Sequence, residues 1–398
     1  MKWQQTFSLT LTICLFLTTG CWDRTELNDL AILLGWGIDI QDDGSYLSTA
    51  QIVVPSKASS SSSQGGGQAY YTDTGMGRDV TEAVQNMQMK ISRQLFAGHR
   101  RDLFIGEALA KHGLADVMDE YSRNPDVRLR TGAFVVKGST ANNLLKTPTP
   151  LENIPVLAAH KLHQQVGGPG DVELANFLID ASTEGSSPTL PVLAMVSSFS
   201  GQNETQDATS ANEFAYAGRA IFDDELKLIG YLNAREAKEA LWVKGQLKFL
   251  TITGFIPQAN GYVSLDLTKL GKQIRPSLRG NHIAFSVCLT GQGMIRENNT
   301  DLDLTQVKNI HIVESELDKE AQKQVQQMIT KVQQEYKADI FGFGERIHRQ
   351  YPYQWKVLKK RWETEFPKEE VTVKVHLTIK RVGLTGPSLQ LKEKQIKK

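Results

Sequence analysis

The sequence predicts an α/β body of the α+β type: mixed sheets with flanking helices in a multidomain chain, including a long carboxy-terminal helix packed on a sheet. Three observations predict it. Val371, Val373, Val375, Leu377 and Ile379 alternate with Lys374, His376 and Thr378, the period of two that marks a sheet with one wet face. Val313, Leu317, Ala321, Val325, Met328, Val332 and Tyr336 recur every three or four residues among Glu, Lys and Gln. That pattern calls for a helix of about two dozen residues, or about 36 Å at 1.5 Å per residue. Its apolar stripe is narrow and keeps no ideal heptad seam, so it suits a sheet better than a second helix. Before residue 200, helical and strand periods interleave without the regular βαβ repeat of a doubly wound sheet.

In chain order, residues 1–20 read as a lipoprotein signal peptide. Lys2 adds to the amino-terminal charge, an apolar run spans Phe7 to Leu17, and the small residues Thr19 and Gly20 precede Cys21. The apolar core is too short for a comfortable membrane span. Cleavage before Cys21 would leave a diacylglyceryl cysteine as the first mature residue. Two acyl chains anchor a protein where one binds marginally. Thr18 departs from the bulky aliphatic residue usual three places before such a cysteine.

Residues 21–199 read as an N-terminal α/β domain. Asp23–Leu34 looks like a short amphipathic helix capped by Asp23, with Glu26 three residues on. Gly35–Ile40 and Tyr46–Val54 flank a turn at Gln41–Gly44 and predict a hairpin. The Ser/Gly-rich run 56–68 predicts a mobile loop interrupting this domain. Helical periods follow over Val80–Leu95 and over Leu103–Tyr121, the second weakened by Gly106 and Gly113. Val127–Val136 predicts a strand, Ser139–Leu145 a short helix opened by its own hydroxyl, Val172–Ser182 a helix and Thr189–Phe199 a strand. The polar stretch 200–212 has no bulky aliphatic residue and reads as a linker.

The remaining residues, 213–398, form a C-terminal α/β region with room for two subdomains dividing near 300. Phe214–Phe222 and Leu226–Tyr231 predict a hairpin. Asn233 caps a helix running through Trp242, and Gly245 stops it. Phe249–Ile256, Gly261–Leu267 and His282–Leu289 are strand candidates.

Composition narrows the function. The 398 residues include 45 basic and 44 acidic ones. Removal of residues 1–20 takes only Lys2 and leaves 44 of each, a balance that argues against nucleic-acid binding. Cys14 leaves with the signal and Cys21 carries lipid. Cys288, in the alternating run FSVCLTG, then reads as a buried strand residue and not a nucleophile. No intrachain disulfide is open to the mature chain, so its core must hold it together. No apolar stretch long enough to span a membrane follows Cys21, which places the anchor at the amino terminus.

The sequence contains no phosphate-binding glycine loop, dinucleotide fingerprint, nucleophile elbow or His-Glu-x-x-His motif. Gly342-Phe343-Gly344 follows a helix and reads as a turn. His160 and His163 lie three apart on a candidate helix without a third ligand at matching spacing, and read as exposed helical residues. Glu297, Asp301 and Asp303 are too irregular for a calcium loop. No catalytic, cofactor-binding or metal-binding residue is assigned, and no cofactor is expected. Cys21, as lipid attachment point, is the single site residue. Arg93, His99, Arg100, Arg101 and the terminal LKEKQIKK read as solvated surface, with anionic lipid as the other option. Tyr351, Tyr353, Trp355 and Trp362 fit either a core corner, where the long helix turns back to the last strand, or an interface.

Five stretches together resemble the Ger(x)C family, the C-subunit lipoproteins of bacterial spore germinant receptors. They are GCWDRTELNDLAILLGWGID at 20–39, the run from Arg101 to Gly138, Ser187–Pro191, AGRAIFDDELKLIGYL at 217–232, and ADIFGFGERIHRQYPYQWKVL with the later VKVHLTIKRVGLTG. The resemblance covers nearly the whole chain, in order. It implies a non-enzymatic subunit needed for receptor assembly and for the response to nutrients during germination. It implies polytopic A and B subunits as partners, and a place on the outer face of the spore inner membrane held by acylated Cys21. It implies an α/β body commonly divided into three compact domains, and it transfers no catalytic residue. Two other readings stay open. A small-molecule-binding lipoprotein serving a membrane transporter would need a deep cleft with converging polar groups. An envelope enzyme would need titratable groups within hydrogen-bond reach in a pocket. Which nutrient is sensed, and whether this subunit touches it, is open at this level.

Overall fold

The computed structural model describes residues 3, 26–55, 68–125, 127–166, 173–197, 212–280, 282–384 and 397. Nearly all of the signal peptide, Cys21, nearly all of the 56–68 run and the 200–211 part of the expected linker lie outside the described residues. Two sheets organise what is described.

The first sheet has nine strands. Strands β1 (Leu30–Ile40), β2 (Tyr46–Val53) and β3 (Tyr70–Gly77) form an antiparallel meander at one end. Strands β5 (Asp102–Gly106), β6 (Gly132–Lys137) and β7 (Thr189–Ser197) continue it in parallel, and β8 (Asn212–Phe222) and β9 (Leu228–Leu232) close it antiparallel. The order is β3-β2-β1-β5-β6-β7-β8-β9, with the short β4 (Gln94–Phe96) paired parallel to the start of β1. Helices cover both faces. Leu103, Ile105, Ala133 and Val135 point into one core with residues of α1 (Val80–Gln88), α3 (Ala115–Arg123) and α6 (Leu174–Ser182). Phe104, Phe134 and Val136 point into the other, with α4 (Ala141–Lys146) and α5 (Pro155–Gln165). The small helix α2 (Glu107–His112) follows directly from β5.

This two-sided burial explains where local pattern misleads. The expected helix over Leu103–Tyr121 is a buried strand followed by α2 and α3. A central parallel strand is apolar on both faces and shows no period of two. Gly106 and Gly113, read as weaknesses in one helix, are the residues that bound α2. The expected helix at Asp23–Leu34 is also corrected: only Leu27–Asp29 forms a helical turn, and Leu30 begins β1. Ala31 and Leu33 are buried while their neighbours are half-buried, and that sheet face overrides local propensity. The helix expected through Leu95 stops at Gln88. The cap of α4 is Thr140, whose hydroxyl accepts from the Asn143 amide at 3.1 Å, and not Ser139.

Strands β7 and β8 pair along their length, from Thr189 with Ile221 to Ser197 with Asn212. The residues on either side of 198–211 are thus neighbours in one sheet. A bulge in β8 places Gly218 at φ +125, where a Cβ would stand 1.9 Å from the Leu232 carbonyl oxygen. Only glycine fits that close approach.

The second sheet has four strands, β10 (Leu250–Ile256), β11 (Gly261–Arg279), β12 (His282–Asn298) and β13 (Glu370–Arg381), in that order. Strands β11 and β12 run past the expected Leu267 and Leu289 into a hairpin of 19- and 17-residue strands. Cys288 lies half-buried on β12, its neighbours Val287 and Leu289 facing the core, which corrects the expectation of a buried thiol. Between the first sheet and this one stands α7 (Ala234–Lys244). Asn233 and Glu236 form a reciprocal capping box at its start, and Gly245 ends it at φ +73.

The long helix is α8 (Val307–Lys331), 25 residues, continued by one π turn over Val332–Tyr336. Its stripe of Val313, Leu317, Ala321, Val325, Met328 and Val332 is buried in the core of the second sheet. A second row of side chains on the same helix serves β13, the edge strand. Glu314 accepts from the Ile379 amide at 2.8 Å, Asp318 from the Leu377 amide at 2.7 Å and Gln326 from the Val373 amide at 3.1 Å. These bonds do the work of a neighbouring strand and leave the edge closed to further pairing. Helices α9 (Phe343–Gln350), α10 (Pro352–Leu358) and α11 (Trp362–Glu365) complete the crossover to β13.

Candidate functional site

The two sheets meet where α8 ends. Lys337 adopts a left-handed conformation, φ +55, and turns the chain into Ala338-Asp339. The Asp339 carbonyl accepts from the Ser187 amide of the first body at 2.9 Å. Its carboxylate accepts from the Phe341 amide at 3.1 Å, the Gly344 amide at 2.7 Å and Trp362 Nε1 at 3.2 Å. Burial pushes this acid up to about 6 against the opposing pull of those donors. Gly344 is glycine for space: a Cβ there would stand 2.7 Å from both the Gly185 carbonyl and the Trp355 ring. The Tyr336 hydroxyl donates to the Tyr231 carbonyl of β9 at 3.0 Å. Lys244 pairs with Asp180 at 2.7 Å across the same junction.

Beside these contacts lies a groove of about 920 Å³, bordered by Ser187, Asp224, Lys337, Asp339, Arg361 and Glu363. Burial raises the Glu363 carboxyl, helped by the charges of Asp224 and Asp223. The groove mixes both signs of charge, and its one deeply buried acid is fully engaged. It has the character of a packed junction, with no activated nucleophile presented.

A second acid lies inside the first body. Asp102 Oδ1 stands 3.3 Å from His160 Nδ1, and His160 Nε2 stands 3.0 Å from the Gln164 amide nitrogen. Burial raises the Asp102 carboxyl, and His160 offsets part of that. An acid that orients a histidine is half of a catalytic triad, but the far nitrogen meets Gln164 and no hydroxyl or thiol. His163 is buried, its ring 5.5 Å from that of Phe134 and 5.9 Å from that of Tyr216. The expectation that both histidines are exposed is therefore corrected: α5 lies against β5 and β6, and its inner face carries them. Among the described residues, no three of His, Cys, Asp and Glu are grouped so as to hold a metal ion. Asp39, also buried, accepts from the Ala141 and Asn142 amides at 2.8 and 3.0 Å and serves as a cap for α4.

Comparison with known proteins covers nearly all of the described chain in two stretches, which divide within the first sheet, between β7 and β8. Residues 23–195 match the family described as the spore germination protein N-terminal domain. Residues 217–383 match the family described as spore germination B3/GerAC like, C-terminal. The chain belongs to the Ger(x)C family of spore germination proteins. It is 30% identical over 379 residues to spore germination protein KC of Bacillus subtilis (strain 168), with 92% of each chain covered. It is 23% identical over 396 residues to spore germination protein B3 of the same organism, covering 97% of this chain and 98% of that one. The crystal structure of the GerBC protein shares the fold, with a TM-score of 0.54 at 19% identity over 87% of this chain and 97% of that one.

Within this Ger(x)C protein the remaining sequence candidates separate. Cys21 lies outside the described residues. No helix among the described residues is long and apolar enough to cross a membrane. Trp355 and Trp362 are buried and pack edge to face at 5.6 Å, the core corner of the two options, while Tyr353 is 81% exposed. Asp303 accepts from the Thr305 amide at 2.9 Å and shapes the approach to α8. Gly342 takes φ +74 at the start of α9, a turn as expected. Arg93, His99 and Arg101 are exposed, but Arg100 is buried against Tyr121, which corrects its reading as solvated surface. Asp339 was missed altogether. It stands alone in ADIFGFG, and only the fold brings Ser187 and Trp362 to it.

Proposed function

We propose that this Ger(x)C protein is the lipid-anchored, non-enzymatic subunit of a nutrient germinant receptor, needed for receptor assembly and for the response to nutrients. One observation carries the reading: residues 23–195 and 217–383, nearly the full chain, match spore germination protein families. The site geometry supports it. The buried acids of the junction and of the first sheet are spent on backbone amides, caps and a packed histidine, as in a rigid binding body.

The proposed location and partners rest on the family resemblance and on the reading of residues 1–21 as a lipoprotein signal. Acylated Cys21 would hold the body on the outer face of the spore inner membrane. Polytopic A and B subunits would meet it there at high effective concentration, so modest polar interfaces suffice. Deletion of this subunit should abolish the nutrient response of its own receptor. It should spare germination by agents that bypass receptors. A deletion strain that answers every cognate nutrient normally would remove the assignment. Cys21→Ala should release or destabilise the protein, and intact-mass analysis of the mature chain should find a diacylglyceryl group on Cys21. An unmodified terminus elsewhere would refute the anchor while leaving the receptor role to the deletion test.

A further inference from the structure

We propose that the end of the first sheet at which β1 begins lies against the membrane, and that Arg93, Arg101, Arg128 and Arg130 meet anionic lipid headgroups there. The proposal rests on the reading of Cys21 as lipid anchor. Glu26, where the described body begins, follows Cys21 by five residues. Fully extended, such a stretch reaches about 18 Å at most. A bilayer that holds Cys21 is therefore within that distance of Glu26, close to the start of β1.

The topology gathers arginines at this end. Strands β4 and β5 both pair parallel with β1, and β6 pairs parallel with β5, so all four begin at the same end of the sheet. Arg93 immediately precedes β4, Arg101 immediately precedes β5, and Arg128 and Arg130 stand in the turn that enters β6. None of these entries is more than two strands from β1, about 10 Å across the sheet. The row slopes, because Gln94 is level with Leu30 of β1 and Asp102 with Gly35, so a bilayer along it meets the sheet obliquely. All four arginines are exposed, and among the described residues none is held in a salt bridge. Elsewhere on the surface, Arg78 pairs with Glu82, Arg123 with Asp119 and Arg349 with Glu345.

Exposed apolar side chains share the surface. Leu27 is 72% and Met89 78% exposed. Asn28, Lys90 and Arg93 border one cavity of about 590 Å³, which puts their neighbours Leu27 and Met89 at the same corner. Leu129 is exposed between Arg128 and Arg130. Guanidinium groups beside apolar ones suit the headgroup layer, where arginine takes phosphate through paired hydrogen bonds and apolar side chains enter the acyl boundary. Glu26, Asp29 and the half-buried Glu173 stand at this end too and offset part of the attraction. The anchor already concentrates the body at the surface, so a small excess suffices to orient it.

Two arms test it. In the first, the mature chain carrying Cys21→Ser, with no thiol there to acylate, is sedimented with vesicles of phosphatidylcholine alone or mixed equally with phosphatidylglycerol. It should bind the anionic vesicles at least about fivefold more tightly, and salt should erase the preference. Changing the four arginines together to Gln should remove it too, in a protein that circular dichroism shows to be folded. In the second arm, the lipidated chain sits in the anionic vesicles with Cys288→Ser and an environment-sensitive label at Met89→Cys, or at Asp42→Cys in the turn at the far end of β1. Spin-labelled headgroups should quench the label at 89 and not the label at 42. Equal binding to both kinds of vesicle, full binding by the Gln variant, or equal quenching at the two labels would each overturn the proposal. Loss of polytopic partners from the Gln variant, with its vesicle binding unchanged, would give the rim to a protein instead. An unmodified Cys21 would refute the anchor, and the first arm would still decide whether the rim binds lipid.

Discussion

Leu317→Ala tests the packing that joins the long helix to the second sheet. Leu317 is fully buried on α8. It lies over bare backbone, since a Cβ on Gly254 of β10 would stand 2.8 Å from Leu317 Cδ2. Truncation removes three carbon groups, worth about 2.4 kcal/mol of transfer at roughly 0.8 each. A hydrogen-bonded strand cannot collapse far into the space, so a cavity term adds to this. The expected total is about 3–5 kcal/mol, in the upper part of the range for such substitutions. Urea denaturation followed by tryptophan fluorescence measures it. Gly254→Ala provides the second arm. Alone it should destabilise, because Leu317 must give way. In the Leu317→Ala background its methyl enters the vacated space, so the pair should couple by about 1 kcal/mol or more. A Leu317→Ala loss below about 1 kcal/mol, or strict additivity of the pair, would refute the packing argument.

Two further outcomes follow. Burial pushes Asp339 up to about 6 and Glu239 up to about 7, and Glu369 rises to about 7 through burial and the Glu365 charge. Each folded value lies above its unfolded one, so the stability these acids lend is full below about pH 4 and is lost as pH rises through about 6 to 7. The thermal midpoint should therefore be higher at about pH 5.5 than at about pH 8, and Glu239→Gln should flatten that slope; a midpoint that rises with pH across this window would contradict it. Gly218→Ala sets a methyl against the Leu232 carbonyl at φ +125 and should cost about 1–3 kcal/mol or more, whereas Gly44→Ala, at φ +83 with open space around it, should cost less. Equal losses at the two positions, measured by the same denaturation, would show that the bulge does not depend on glycine.

The elements read correctly from sequence are those whose environment is one-sided. Alternation exposed β13, and the stripe on α8 exposed a helix with one dry face, because in both cases half the positions meet water. Asn233 and Gly245 marked α7 through local chemistry alone. The central strand β5 was unreadable for the opposite reason: Leu103, Phe104 and Ile105 are dry on both faces, and a uniform apolar run has no period. Nothing in the sequence sets the polar row Glu314, Asp318 and Gln326 apart from other polar positions of the helix. It closes the edge of β13, a role set by a strand 47 to 65 residues on. Asp339 and Arg100 escaped for the same reason. A lone acid or one arginine in a basic run carries no sign that the fold will bury it.

The receptor assignment is tested most directly by what this protein brings with it from the membrane. A tagged chain, solubilised from spore inner membranes in mild detergent and purified through the tag, should arrive with two polytopic subunits in fixed proportion. Its own mass should show lipid at Cys21. Recovery of the chain alone from spores that germinate normally to nutrients, or together with a permease and an ATPase instead, would contradict the account.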